Sequence, residues 1–259
     1  MNIKDISTQL LYTTVPIFAV NGDNSLSYGT GFIFSVNEGE GISIPLLITN
    51  YHVLENAIGG YAELHIGING KPTNRSIKVQ FDRTIIDGNK LGNLDLIAIP
   101  LASTLMDSQK RGIEIFFRSV DQHMLPTVEQ QEDFAAIEDV IFIGYPNSIY
   151  DEKNKISIIR QGITATPIWN SFRGEEVFLI DAGVFPGSSG SPVFIYNRNL
   201  HPEKNAVVIG SRLLFVGVLS KTLKQNEKSG NVYLDLGKVI NSRAMYRELD
   251  VFISKLKNQ

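Results

Sequence analysis

The stretch Phe185-Pro186-Gly187-Ser188-Ser189-Gly190-Ser191-Pro192-Val193-Phe194 gathers small residues, hydroxyls and two prolines ahead of an apolar run. Gly187 and Gly190 open backbone angles that a Cβ makes costly, while Pro186 and Pro192 fix φ and withdraw two donors. Such a segment predicts a rigid turn with hydroxyls and N–H groups pointing out of it. An activated serine beside an oxyanion site needs that setting. Alone, the stretch reads equally well as an ordinary loop. Two positions upstream change the reading. His52 follows directly on Leu46-Leu47-Ile48-Thr49-Asn50-Tyr51, and Asp95 stands at the mouth of the apolar run Leu94–Ile99. A lone histidine is ordinarily structural, but a carboxylate against an apolar strand is costly without a partner. Histidine, then aspartate, then serine, each at a predicted strand edge, is one of the chain orders in which nucleophilic triads occur.

The elements that must hold these residues are short. Val15–Val20, Gly31–Val36, Ile44–Thr49, Tyr61–Ile66, Ile77–Phe81 and Leu94–Ile99 are strand-length runs rich in Val, Ile, Phe and Tyr, with Gly, Asn or Asp between them. Leu101–Gln130 is more polar and is read as the crossing between two halves. The rhythm resumes with Val140–Gly144, Ile156–Gln161, Gly162–Pro167, Val177–Ile180, Val193–Tyr196, Leu213–Leu219 and Val232–Leu236. Asn197–Ser211 is read as a polar loop without an assigned role. Ile3, Ile6, Leu10 and Leu11 predict a short leading helix, and Met245, Leu249, Phe252 and Leu256 an amphipathic closing one. The pattern predicts an all-β protein of two barrels and a terminal helix. Its expected boundaries are 1–115 for the barrel carrying His52 and Asp95, 116–240 for the barrel carrying Ser189, and 241–259 for the helix.

Composition removes other chemistries. The 259-residue chain has a net charge of −3 and no long basic run, so no nucleic-acid partner is expected. It has no cysteine, which excludes disulfides, thiolate catalysis and Cys-based metal sites. His65, His123 and His201 lack ligand-spaced partners, so neither metal nor cofactor is expected. Gly29-Thr30-Gly31 lacks the third glycine of a dinucleotide loop, and no phosphate loop is present. An α/β-hydrolase elbow needs Gly-x-Ser-x-Gly with a histidine after the serine; here position 191 is Ser, and His201 lies in a polar loop. No run reaches the ~20 apolar residues of a membrane span, and Met1–Val20 does not read as a signal peptide. The expectation is a soluble, cytoplasmic protein without membrane association.

The motifs together resemble the trypsin-like serine peptidases of the chymotrypsin fold, in the style of bacterial Deg (high-temperature-requirement) protease domains. The matching pieces are Gly29-Thr30-Gly31-Phe32-Ile33, Thr49-Asn50-Tyr51-His52-Val53, Leu94-Asp95-Leu96-Ile97-Ala98 and Ile143-Gly144-Tyr145-Pro146. Asp181-Ala182, Pro186-Gly187-Ser188-Ser189-Gly190-Ser191-Pro192 and Phe215-Val216-Gly217-Val218 complete the order. The resemblance implies two six-stranded antiparallel Greek-key barrels and cleavage of peptide bonds through an acyl-enzyme. It implies Ser189 as nucleophile, His52 as general base and acid, Asp95 as its orienter, and the N–H groups of Gly187 and Ser189 as oxyanion hole. A histidine base must be neutral, so the rate should fall as pH drops through the ordinary histidine range, roughly 6.5.

Departures from the family are informative. Ser188 stands where the trypsin branch has the aspartate that pairs with a newly cut N-terminus, and Ser191 where most members have glycine. The sequence leaves no room for a peptide-binding PDZ domain, so control is expected from elsewhere, including a regulatory protein partner. The resemblance puts the specificity pocket's floor near Gly183 and its wall at Gly217-Val218-Leu219. With no carboxylate there, the expected preference is a small or medium apolar residue rather than Lys or Arg. The competing reading from another class is a catalytically silent binding module on the same fold; an intermediate one is a latent protease whose loops order on partner binding.

Overall fold

The computed structural model describes residues 4–39, 41–203, 206–227 and 230–257. The first half is one sheet. Its strands β1 (Thr14–Asn21), β2 (Leu26–Gly39), β3 (Ile42–Thr49), β4 (Ala57–Ile68), β5 (Lys71–Asp82) and β6 (Ile97–Pro100) lie in the order β5-β4-β1-β2-β3-β6. Short β7 (Ile115–Phe116) and β8 (Val120–Asp121) add to β4 and, in parallel, to β2. The turn between β4 and β5 is Asn69-Gly70, both with positive φ, the geometry that matches strand twist in a two-residue hairpin.

Four short helices accompany this sheet: α1 (Ile6–Leu10), α2 (Tyr51–Leu54), α3 (Arg83–Gly88) and α4 (Ala102–Lys110). The second half is a closed barrel of β9 (Asp139–Gly144), β10 (Ile158–Thr164), β11 (Val177–Asp181), β12 (Pro192–Asn197), β15 (Arg212–Glu227) and β16 (Gly230–Asn241). Between β12 and β15 stands a separate hairpin, β13 (Leu200–Glu203) with β14 (Ala206–Ile209). Helix α5 (Val128–Glu132) lies in the crossing, and α6 (Ser242–Lys257) follows the barrel.

The expected all-β architecture with a closing helix is what forms, and three local readings are corrected. The runs 156–161 and 162–167 are a single strand, β10, because Gly162 continues the ladder opposite Val140. The run 94–99 is strand only from Ile97; Leu91 N–H donates to Leu96 O and Leu94 N–H to Leu91 O, so Asp95 sits in a tight turn. Within the expected loop, Leu200–Glu203 and Ala206–Ile209 pair as β13 and β14.

Each half has its own core, and a third cluster joins them. Ile33, Leu47, Leu64 and Phe81 fill the first sheet, and Phe142, Phe178, Val193 and Val216 fill the barrel. Phe32 and Phe34 of β2 meet Phe194 and Phe215 of the barrel, with the Phe215 centroid 5.4 Å from Phe32 and 5.7 Å from Phe194. Met245, Leu249 and Phe252 of α6 pack into this junction. The two halves are thereby welded by buried aromatic surface.

Candidate active site

The antiparallel pair β3–β6 sets His52 and Asp95. Its register matches Thr49 with Ile97, and continuing it two residues past both ends brings Tyr51 level with Asp95. There Tyr51 N–H and the Asn50 side-chain amide both donate to Asp95 O, at 3.2 and 2.8 Å. The one-turn helix α2 then swings His52 over the carboxylate. His52 Nδ1 lies 2.7 Å from Asp95 Oδ2, His52 N–H donates to Oδ1 at 2.9 Å, and the Ser220 hydroxyl donates to Oδ2 at 2.8 Å. Burial pushes the Asp95 carboxyl up, but the His52 ring, the His52 N–H and the Ser220 hydroxyl outweigh it and hold it below the ordinary value. A carboxylate so held accepts from Nδ1–H and leaves Nε2 as the acceptor.

Ser189 is presented from the turn between β11 and β12, and this turn leans on the other half of the molecule. Thr30 N–H of β2 donates to Ser189 O at 2.8 Å, and Thr30 Oγ1 donates to Gly187 O at 2.8 Å while accepting from Tyr145 N–H at 3.0 Å. A Cβ on Gly190, at φ +91°, would stand 1.9 Å from Thr30 O, so only glycine lets the turn approach β2 this closely. In this position His52 Nε2 is 3.1 Å from Ser189 Oγ. The three residues singled out by type and spacing are therefore brought into one continuous line. The expectation that all hydroxyls point outward is corrected: Ser188 and Ser191 are buried, and only Ser189 reaches the surface.

The Gly187 peptide is also fixed. Asn147 N–H donates to Pro186 O at 2.6 Å. In a trans peptide the following N–H points the opposite way, so Gly187 N–H is turned away from Asn147. Among the described residues no oxygen accepts from the N–H of Gly187 or Ser189. Two donors beside the serine are thus left for an incoming oxygen.

Beside Ser189 lies a cleft of about 460 Å³ walled by Val184, Phe185, Pro186 and the segment Lys221-Thr222-Leu223. The expected wall at Gly217, Val218 and Leu219 is not there. Those residues are buried inside β15, with Val218 turned into the junction core and Leu219 into the barrel core. Gly183 is not part of the cleft lining either. The space a Cβ would take there lies 3.0 Å from Arg160 Nη2, and that guanidinium stacks over the Phe185 ring at 4.7 Å. Sequence reasoning missed Ser220, Thr30 and Asn147. The signal for Ser220 was available, a lone hydroxyl ending the apolar run 213–219.

A second cleft, of about 580 Å³, opens on the other side of Lys221, between His52, Asp95 and Ser220 and the pair Glu175–Lys238. No metal-ligating cluster occurs among the described residues, and no described helix is long and apolar enough to cross a membrane.

Residues 29–200 match the sequence model of the trypsin-like peptidase domain. No curated protein matches the chain. Among solved structures, HL collagenase superposes with a TM-score of 0.52 at 13% identity, over 97% of this chain and 96% of its own. The HtrA-type protease AlgW with a tripeptide gives 0.49 at 16% identity over 95% of this chain, which spans 62% of that protein's length. The active form of the Rv3671c protease of M. tuberculosis gives 0.47 at 14% identity, over 93% of this chain and 81% of its own. At these identities the likeness is one of fold.

Proposed function

Since the chain belongs to the trypsin-like peptidase family, we propose that it is a serine endopeptidase acting through Ser189, His52 and Asp95. The observation that carries this reading is the unbroken line from Asp95 Oδ2 to His52 Nδ1 at 2.7 Å and from His52 Nε2 to Ser189 Oγ at 3.1 Å. His52 Nε2 takes the hydroxyl proton as Oγ adds to the scissile carbonyl. The imidazolium then forms opposite a carboxylate that is already ionised, and it returns the proton to the leaving amine. The oxygen that becomes negative is met by the N–H groups of Gly187 and Ser189, which have no acceptor of their own among the described residues.

The resting hydroxyl has a second acceptor. Ser189 Oγ also donates to Ser220 O, at 2.6 Å against 3.1 Å to His52 Nε2. The shorter bond directs the Oγ–H toward the Ser220 carbonyl and away from His52. A substrate backbone N–H that takes Ser220 O releases the hydroxyl to His52, so the nucleophile is armed by substrate binding. The apolar walls Val184, Phe185, Pro186 and Leu223 favour an apolar side chain at the cleaved position, and the absence of a carboxylate from the lining gives Lys or Arg no partner there. Both halves contribute to this one peptidase unit.

The test is labelling with a fluorophosphonate, which reacts only with an activated serine. Wild type is expected to label and Ser189→Ala not to. No labelling of wild type, alone or with candidate partner proteins, returns the chain to the reading of a silent binding module. Labelling that survives Ser189→Ala would name the wrong nucleophile.

A further inference from the structure

We propose that Lys221 selects an acidic residue in the part of the substrate that precedes the cleaved bond, a deepening that rests on the endopeptidase reading. The argument starts from charge. The chain is net negative, at −3, and the groove that leads away from the triad carries both signs, with Asp95, Glu175 and Glu176 in its lining. Lys221 and Lys238 line its near part, and Arg243 and Arg247 line its continuation, which shares Glu176 and Val177 with it. Two of these cations are answered: Lys238 by Glu175, and Arg247 by a two-bond contact to Glu176 at 2.9 and 2.6 Å. Among the described residues Lys221 and Arg243 form no ion pair.

Lys221 also stands directly opposite Lys238 in the β15–β16 register. Like charges at such a position destabilise a sheet. Glu175 is taken by Lys238, Glu176 by Arg247 and Asp95 by His52, so Lys221 is left as the cation of this groove for a substrate carboxylate to meet.

Strand alternation says where that carboxylate comes from. β12 pairs with β15 only as far as Val218, so beyond Ser220 the strand has a free edge on that side. A peptide laid along this edge starts level with Ser220, whose carbonyl is already beside Ser189 Oγ. Its first side chain, at the cleaved position, enters the apolar cleft. Successive side chains of an extended strand point to opposite faces, so the second and fourth residues back from the bond face the groove of Lys221. Those two positions are the ones for Asp or Glu.

The test uses full-length Ser189→Ala, so that binding is read without turnover. Labelled peptides with an apolar residue at the cleaved position and Glu, Gln or Lys at the second and fourth positions are titrated by fluorescence anisotropy. The Glu peptide is expected to bind about two- to fivefold more tightly than the Gln peptide, the usual worth of a partly exposed ion pair, and the Lys peptide more weakly than both. Adding Lys221→Gln should erase the Glu-over-Gln ratio, and raising the salt should shrink it. Equal binding of the three peptides, or a Glu preference that survives Lys221→Gln, overturns the proposal. Failure of the endopeptidase reading is seen separately, as wild type that neither labels with fluorophosphonate nor cleaves any of the peptides.

Discussion

The two halves of the catalytic line are built by different means. His52 and Asp95 are placed mainly by the register of one strand pair, β3–β6, and by bonds between neighbours on the same rim, with one bond reaching Asp95 from Ser220 of the barrel. Ser189 is placed from across the molecule, by Thr30 of β2 gripping Ser189 O and Gly187 O of a turn that belongs to the barrel. The first half is mostly a local construction. The second rests on bonds within its own barrel, such as Gly190 N–H to Leu219 O, and in addition on the docking of the two halves. Orientation of the base is therefore robust, and presentation of the nucleophile is the vulnerable part.

Variants can separate the two. Asp95→Asn attacks the local half: it offers the wrong hydrogen-bonding partner to Nδ1 and should lower kcat by about 10⁴-fold while thermal unfolding stays cooperative. Gly190→Ala attacks the docked half, since its Cβ would meet Thr30 O at 1.9 Å. Fluorophosphonate labelling should slow by about 10²–10³-fold, the scale of a lost oxyanion donor, with the His52–Asp95 hydrogen bond still visible by proton NMR. If Gly190→Ala instead erased that signal, the two halves would not be independent. Thr30→Val leaves Gly187 O and Tyr145 N–H without their shared hydroxyl and should cost about 1–3 kcal/mol, measured by denaturant unfolding, together with a slower labelling rate.

Smaller effects sharpen the picture of the local half. Asp95 has its carboxyl held low, so the stability it contributes is present above the unfolded carboxylate value, about 3.9, and is lost as pH falls through its folded value. Ser220→Ala removes one of its donors, and the acid limb of a stability–pH curve should move to higher pH. His65 is buried against Tyr12 and near Lys155, and burial pushes its pKa down. A base depressed in the folded state contributes stability above its unfolded value, roughly 6.5, and loses it as pH falls toward the lowered one. His65→Gln should flatten that part of the curve.

The proposed triad could be singled out in the sequence because each member is a reactive type beside an apolar run, where strands meet the rim. The wall of the specificity cleft was not, for a reason in the run itself. Leu213–Leu219 is apolar without alternation, which is how a strand covered on both faces reads, and a strand covered on both faces cannot line an open cleft. The wall starts where the run stops, at Lys221, after a register shift between Leu219 and Lys221. Thr30 and Asn147 were illegible for another reason: their roles are contacts to a segment more than a hundred residues away or to its backbone, and nothing in their own neighbourhood announces that.

The grip of Thr30 on the serine turn also sets a schedule. During synthesis the half carrying His52 and Asp95 leaves the ribosome first, and the serine follows well behind it. Thr30 can grip the turn only when β2 and the barrel meet across the aromatic junction. A nascent chain therefore carries the proposed base before the proposed nucleophile can be docked against Thr30.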